Sequence, residues 1–119
     1  MKTSQDPRHR KRQHVVQELF STSFHQQPIS NEAKAILDHE PELDKTIQQA
    51  APDFPVEKIN KIDLAVLRLA AYELLIDKTQ PQNVIIDEAV ELAKEFGNNT
   101  SPAFVNGVLG HIISYAKSS

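Results

Sequence analysis

The chain of 119 residues contains no cysteine, no tryptophan and only three glycines. Without cysteine it cannot form disulfides, thiolate metal sites or a cysteine nucleophile. It has no glycine-rich loop of the kind that cradles phosphate groups. It also lacks an alternating run of apolar and polar residues, so sheet is not predicted. These absences leave helix as the predicted secondary structure and argue against several classes of enzyme.

Long hydrophobic runs are missing as well. The N-terminus has no apolar stretch typical of a secretory signal. The most apolar segment, residues 62–76, is interrupted by Asp63, Arg68 and Glu73. It is also shorter than the roughly 20 residues that a membrane span needs. We therefore expect a cytoplasmic protein with no membrane segment.

The polar residues show no pattern that predicts catalysis. The five histidines have no spacing typical of metal ligands, so we expect no metal and no cofactor. The acidic pairs Asp87-Glu88 and Glu91-Glu95 fall on the predicted outer face of a helix. Solvated surface is favoured there over general acid-base chemistry. The chain is predicted not to be an enzyme.

The periodicity of apolar residues predicts an all-α fold. Twelve of the fifteen residues from 62 to 76 are apolar, which predicts a central helix covered on nearly every side. Gly97 is predicted to end a later helix in the left-handed conformation. The first helix is predicted to have one apolar face made of Val15, Val16, Leu19, Phe20 and Phe24.

Two features of the predicted helices need a specific explanation. Arg68 and Glu73 are charged residues in an apolar helix, and their spacing of five does not let them pair with each other. Ion pairs with neighbouring helices are expected, the alternative being that Glu73 lines a binding surface. Asn106-Gly107 lies inside the last helix, where glycine is unfavourable. A close helix contact is predicted there, with a partner surface as the alternative.

The charge is unevenly distributed. The chain has 13 basic and 16 acidic residues and a net charge of −3. Its first twelve residues carry +4 and the remainder −7. As a helix, the segment with Arg8, Arg10, Lys11 and Arg12 would project cations, with His9, His14 and Phe20 available for stacking. This combination suits single-stranded RNA, although a solvated tail is the alternative.

The sequence resembles the NusB family of transcription antitermination factors. The resemblance rests on "NKIDLAVLRLAAYELL", on "PQNVIIDEAVELAKEFGNNTSPAFVNGVLGHI" and on the basic opening followed by "VVQELF". It implies a helical bundle of NusB type, with two small helical sub-bundles and a buried central helix. We expect residues 1–7 to be a flexible N-terminus and residues 8–117 to form one RNA-binding domain.

The resemblance also implies a function. Members of the family bind boxA-type RNA of ribosomal RNA operons together with NusE, which is ribosomal protein S10, in the transcription elongation complex. The residues that match the family's RNA-binding positions are Arg8, Arg10, Lys11, Arg12, Phe20 and Glu88. We expect Arg68, Glu73 and Asn106 to be structural or to form a partner surface.

Two departures from the family pattern accompany the resemblance. The segment from Pro28 to Pro55 is shorter than usual, which puts a partner contact there in question, and Gly110 stands where an acidic residue is common. Two other functions remain open. One is a protein-protein module, such as a homodimer, without an RNA role. The other is the RNA-binding domain of an rRNA cytosine methyltransferase, less favoured because no segment for S-adenosylmethionine follows Ser119.

Overall fold

The structure, a computed structural model, describes residues 6–118, and only the backbone of the last two of these. The described residues form helices and no strand, which confirms the all-α prediction. The α-helices are α1 (Pro7–Thr22), α2 (Asn31–Asp38), α3 (Glu40–Ala50), α4 (Lys61–Tyr72), α5 (Gln82–Phe96) and α6 (Ser101–Ser118). A 3₁₀ turn covers Val56–Lys58, and a π-helical segment, Glu73–Asp77, continues α4.

Helix α4 is the centre of the fold, because it packs against all five other α-helices. Its residues from 63 to 71 are buried, except for the partly exposed Arg68. Helices α1 to α3 lie before it in the chain and α5 and α6 after it, so both groups bury their apolar faces on one helix. The predicted central helix is confirmed.

The start of helix α1 is set by a local cap at Asp6 and by Pro7. The Asp6 side chain accepts a hydrogen bond of 2.9 Å from the backbone N–H of Arg8, and Pro7 is the first helical residue. This start lies one residue before the predicted domain boundary, and residues 1–5 of the predicted flexible segment lie outside the described residues. An N-cap followed by proline is a strong start signal.

The end of α1 differs from the prediction. The hydroxyls of Thr22 and Ser23 both donate to the backbone carbonyl of Leu19, at 2.9 and 3.3 Å. Such local hydrogen bonds compete with helix continuation, and α1 ends at Thr22. Phe24 therefore lies beyond the helix and is 62% exposed. The prediction that it shares the buried face of α1 is wrong.

The segment from Pro28 to Pro55, which is shorter than usual for the family, still forms two helices, α2 and α3. Ser30 caps α2, with its side-chain oxygen 3.2 Å from the N–H of Ala33. The buried carboxylate of Glu18 accepts the backbone N–H and the hydroxyl of the same serine, at 2.6 and 2.7 Å. These bonds tie the start of α2 to α1. Helix α3 packs against α4 and α6.

Two glycine predictions are corrected. Gly97 has φ −94° and ψ −165°, which is extended rather than left-handed. A Cβ there would lie 2.4 Å from Ser101 Oγ and 2.7 Å from the carbonyl oxygen of Ala93, so the close approach of α5 and α6 requires glycine. At Gly107 no atom lies within 4 Å of an added Cβ, and Asn106 is exposed. The predicted close helix contact at Gly107 is wrong.

Candidate nucleic-acid interface

Three of the four cations of the basic segment lie on the surface of the first turns of α1. Arg8, Arg10 and Lys11 are exposed. The Arg8 side chain is 72% exposed and lies 3.7 Å from Asp6. Long cationic side chains in these positions can contact a phosphate group while the backbone stays helical. The arrangement is thus compatible with binding an anionic polymer.

Arg12 differs from its three neighbours because it points into the protein. Its Nε and Nη2 donate to the two carboxylate oxygens of Glu73, at 2.8 and 2.7 Å. Its Nη1 lies 3.3 Å from Glu88 Oε1. The hydrogen bond to Glu73 is the main cause that raises the pKa of the Arg12 guanidinium. This placement contradicts the expectation that α1 projects Arg12 into solvent together with the other cations.

His9 is also buried, although it was expected to be available for stacking. Its Nδ1 lies 2.9 Å from Glu88 Oε1, and its Nε2 lies 2.9 Å from both oxygens of Glu95. An ionised carboxylate only accepts hydrogen bonds, so both ring nitrogens must carry protons. The pKa of His9 is raised: burial is the largest influence and opposes the charge, but the bonds to Glu88 and Glu95 together outweigh it. The geometry therefore favours the protonated form of the ring.

Glu88 is the shared acceptor of these contacts. Its residue exposure is 4%, so the prediction that it lies on a solvated outer face of α5 is wrong. The reason is that His9 and Arg12 place two cationic groups against α5, which stabilises a buried carboxylate. We call this group the buried charge cluster after its buried members His9, Arg12 and Glu88. Glu73 and Glu95, whose side chains are 12% and 28% exposed, complete it at its edge. It joins α1 to α5 and to the π-helical segment.

The sequence contained a signal for the buried charge cluster. The buried residues Val16 and Leu19 lie on one face of α1, and steps of four and three residues towards the N-terminus reach Arg12 and His9. Residues at these spacings share a helix face. The inward face of α1 therefore continues with polar residues that need partners. The partners themselves are far along the chain and could not be identified by spacing.

Arg68 of α4 and Glu73, the first residue of the π-helical segment that continues α4, form ion pairs as predicted. Arg68 donates to both oxygens of Asp44 on α3, at 2.8 Å each, and lies 3.5 Å from Glu40. Glu73 pairs with Arg12 of α1. Both side chains thus form ion pairs with neighbouring helices and not with each other. Two-point arginine-carboxylate contacts of this kind fix the relative orientation of the helices that carry them.

The remaining predicted site residues are not gathered around the basic segment. Phe20 lies twelve residues after Arg8 on α1, which corresponds to about 18 Å along the helix axis. It is partly buried, and its ring meets the edge of Phe24 at a centroid distance of 5.0 Å. Asn106 is exposed on α6, a helix that packs on α3, α4 and α5. The fold therefore leaves these residues on separate regions of the surface.

Residues 6–118 offer neither a metal site nor a membrane-spanning helix. No group of three or more histidine, aspartate or glutamate side chains has a geometry that could hold a metal ion there. None of the helices in that part of the chain is long and apolar enough to cross a membrane.

The matching family model covers almost the whole chain. It is that of the NusB family, and it matches residues 3–114. The chain belongs to the NusB family. The predicted resemblance is confirmed, and so is the prediction that the chain is not an enzyme, since this is a family of transcription antitermination factors without enzymatic activity.

Curated relatives agree with this assignment. The chain is 40% identical over 111 residues to the transcription antitermination protein NusB of Chloroflexus aggregans, which covers 85% of the chain and 74% of that relative. It is 37% identical over 102 residues to the Bacillus subtilis protein, covering 86% and 75%. The match to the Roseiflexus castenholzii protein is 49% over 79 residues, and it spans only 65% of the chain and 56% of that relative.

Solved structures support the fold. The chain matches T. maritima NusB with a TM-score of 0.80 and 32% sequence identity, covering 96% of this chain and 93% of that one. A crystal structure of antitermination factors NusB and NusE in complex with double-stranded RNA matches with a TM-score of 0.78 and 20% identity, over 92% of this chain and 99% of that one. At that identity the likeness concerns the fold alone. The NusB-type bundle with a buried central helix is confirmed.

Proposed function

We propose that this NusB-family chain is an RNA-binding transcription antitermination factor. It acts with NusE, the ribosomal protein S10, on boxA-type single-stranded RNA of ribosomal RNA operons within the transcription elongation complex. The site of action is then the bacterial cytoplasm. The observation that carries the proposal is the cationic start of α1, where Arg8, Arg10 and Lys11 are exposed in a chain that is otherwise acidic.

The buried charge cluster supports this role indirectly. It holds the first turns of α1 against α5 and the π-helical segment through His9 and Arg12. Positions 8, 10 and 11 then face outward with a defined spacing. In this proposal Arg12 and Glu88 are positioning residues that fix α1, and the phosphate contacts are made by the three exposed cations. A pre-ordered cationic surface loses less conformational entropy on binding RNA than a mobile tail does.

The surface for a protein partner is assigned to exposed residues away from the basic segment. NusE is proposed as that partner because a structural neighbour is a complex of NusB and NusE with RNA. Asn106 and the exposed glycines 107 and 110 form an open stretch of α6. Phe20 and Phe24 form an aromatic pair at the other end of α1. Gly110 supplies no charge there, so contacts on α6 depend on shape and on the Asn106 amide.

The decisive experiment compares two triple variants with the same change in charge. In the first, Arg8, Arg10 and Lys11 are replaced by alanine. In the control, three exposed lysines on other elements, Lys45, Lys58 and Lys61, are replaced by alanine. Binding to a boxA-containing RNA is measured by titration, with thermal melts of both proteins.

We expect the first variant to lose most of its RNA affinity and the control to lose little, because phosphate contacts are local while net charge acts weakly at a distance. Equal affinities of the parent and the first variant would refute the assignment to α1. Equal losses in both variants would show that only net charge matters.

The partner is tested separately. Purified NusE is added to the parent with and without the boxA-containing RNA, and complex formation is followed by size-exclusion chromatography. We expect one complex of 1:1 protein stoichiometry that binds the RNA more tightly than either protein alone. A self-associated chain that binds neither NusE nor RNA would instead favour the homodimer without an RNA role.

A further inference from the structure

A groove of about 400 Å³ lies beside the exposed cations of α1. It runs between the first turns of α1, the start of α2 and the end of α4. The buried side chains of Val15, Ile36 and Leu69 provide an apolar floor. Its volume lies within the range of roughly 300–1,000 Å³ that is typical of small-molecule sites. The groove is therefore large enough to take an organic group and not only water.

One side of the groove carries positive charge. Arg8 and Lys11 lie one helical turn apart on α1, and both are exposed at its rim. Arg12 also reaches the groove, but its guanidinium is already held by Glu73 and Glu88. Arg8, which lies 3.7 Å from Asp6, and Lys11 are the rim cations that solvent reaches, and they can bind an anionic group outside the groove.

The opposite side carries acceptors. Glu32 and Asn31 come from the first turn of α2, and Asp77 and Gln80 come from the chain after α4. A phosphate or an acidic peptide placed inside the groove would meet the carboxylates of Glu32 and Asp77 and be repelled. A neutral group with N–H donors would instead find carboxylate and amide partners. The groove therefore favours a ligand that is anionic at one end and a hydrogen-bond donor at the other.

An aromatic ring completes the lining. Tyr72 is the last residue of α4 and lines the groove, with its ring centroid 5.8 Å from that of His39. The π-helical segment follows at once and ends at Asp77, and the next residue, Lys78, has a left-handed backbone with φ 57°. Single π-helical turns occur frequently at functional sites. Here Glu73, at the start of this segment, pairs with Arg12, and Asp77, at its end, lines the groove.

We propose that this groove binds one unstacked nucleobase of a single-stranded RNA, with the adjacent phosphates on Arg8 and Lys11. The base lies against Tyr72, and its amino or imino N–H groups donate to the acceptors of α2 and of residues 77–80. This inference rests on the proposed RNA-binding function and adds where a base is held. Splayed bases that stack on aromatic side chains are the usual route by which proteins recognise unpaired RNA. A base within a duplex cannot enter.

The test fills the groove without changing any charge. Ala35 lines the groove from α2, so Ala35→Leu narrows it while leaving Arg8 and Lys11 in place. The matched control is Gln49→Leu, which adds a leucine to an exposed position of α3 outside the groove. Each protein is titrated with an unpaired RNA of about twelve nucleotides, the length of a short single-strand site, and with a duplex of the same length.

We expect Ala35→Leu to weaken binding of the unpaired RNA about tenfold, the scale of one lost base-stacking contact. Its binding to the duplex, and both affinities of Gln49→Leu, should match the parent. The same RNA carrying 2-aminopurine at successive positions should show one position whose fluorescence changes on binding to the parent but not to Ala35→Leu. If melting shows that Ala35→Leu is unfolded, Asn31→Leu at the rim replaces it.

The outcomes separate this inference from the function on which it rests. If Ala35→Leu binds unpaired RNA like the parent, or weakens both RNAs equally, no base occupies the groove. The double variant Arg8→Ala, Lys11→Ala is measured in parallel and should weaken both RNAs. A loss in this double variant with no effect of Ala35→Leu would retain RNA binding and reject the groove. No loss in either would reject RNA binding by this face of α1.

Discussion

At the scale of single residues, His9 shows how a surface-like sequence position becomes a buried charge. It lies between two exposed cations in the chain, yet 2% of it is exposed. Each ring nitrogen of His9 forms a hydrogen bond with one carboxylate of α5, Nδ1 with Glu88 and Nε2 with Glu95. Arg12 also donates to Glu88, and Gln13 also donates to Glu95. The charged ring therefore offsets its desolvation with hydrogen bonds to two anions.

This geometry predicts a pH dependence of stability. The pKa of His9 is raised in the folded protein above its ordinary value of 6.5. Its stabilising effect is therefore fully present below the pKa of the unfolded chain and is lost as pH rises through the folded pKa. We expect the stability difference between the parent and His9→Gln to shrink as pH rises from about 6 to about 9. Urea unfolding of both proteins at each pH measures this difference.

Arg12 and Lys11 are adjacent in sequence, but their substitution by methionine should have very different effects on the free energy of unfolding. Arg12→Met removes the partner of two buried carboxylates, Glu73 and Glu88, whose side chains are 12% and 6% exposed. Removing one partner of a buried ion pair costs about 3–5 kcal/mol of unfolding free energy, and here Glu73 loses its two-point contact while Glu88 keeps His9. Lys11→Met, at an exposed position, should change stability by less than about 0.5 kcal/mol. Similar effects of the two substitutions in urea unfolding would contradict the assignment of Arg12 to the interior.

At the scale of elements, replacing glycine by alanine is expected to raise stability within α6 and to lower it at the α5–α6 junction. Gly107 and Gly110 are exposed in the middle of α6, and an added Cβ would meet no atom within 4 Å. Alanine at either position should stabilise the protein by about 0.5–1 kcal/mol, because glycine loses more backbone entropy in a helix. Gly97→Ala should destabilise it by about 1–3 kcal/mol through its clash with Ser101 and Ala93.

Thermal melts of the three alanine variants test these expectations. A stabilised Gly97→Ala would show that the junction between α5 and α6 can relax. A destabilised Gly107→Ala would show that α6 needs flexibility there. If Gly107→Ala or Gly110→Ala is stable yet binds NusE poorly, the open stretch of α6 takes part in the partner contact that we propose.

The elements also show how local information limited the predictions. A helix start such as that of α2 at Ser30 is specified locally, because a cap and the N–H group it binds are close in sequence. The end of α1 was misplaced because the competition of Thr22 and Ser23 for a backbone carbonyl depends on side-chain rotamers. Gly97 was assigned a left-handed backbone because that is the usual role of glycine after a helix. Glycine is instead required at this position because a Cβ would lie too close to Ser101, which belongs to the next helix.

At the scale of the whole molecule, the charge asymmetry predicts different salt responses of binding and of stability. The three exposed cations of α1 stand against a net charge of −7 on the residues after Arg12. With a slope of about −0.7 per phosphate contact on single strands, three contacts give log affinity against log salt a slope of about −2. The buried charge cluster is screened little, since salt acts mainly on exposed charges.

We therefore expect RNA affinity to fall steeply between about 0.05 and about 0.5 M salt while the melting temperature changes little. Titrations and melts at matched salt concentrations measure both. The variant with alanine at positions 8, 10 and 11 should show a much flatter slope, and the control variant at positions 45, 58 and 61 should keep the slope of the parent. A parent slope near zero would mean that phosphate contacts do not drive binding.

The sequence by itself determined the all-helical class, the order of the helices and the central position of α4. These properties follow from apolar periodicity, from caps and from proline, all of which act within a few residues. The cationic start of α1 and the family resemblance were likewise visible in the sequence. Arg68 could be assigned an ion pair before its partner was known, because a charge in an apolar helix must be neutralised.

Only the tertiary structure decided which charges of α1 are exposed and which are buried. His9 and Arg12 find their partners at sequence separations of 61 to 86 residues. No local pattern specifies such pairs, since they depend on how α5 and the π-helical segment pack against α1. The same packing forms the groove beside Arg8 and Lys11, with walls from three separate helices. Burial and pairing are properties of the packed chain, and they divide one basic segment into a surface for RNA and an anchor for the helix.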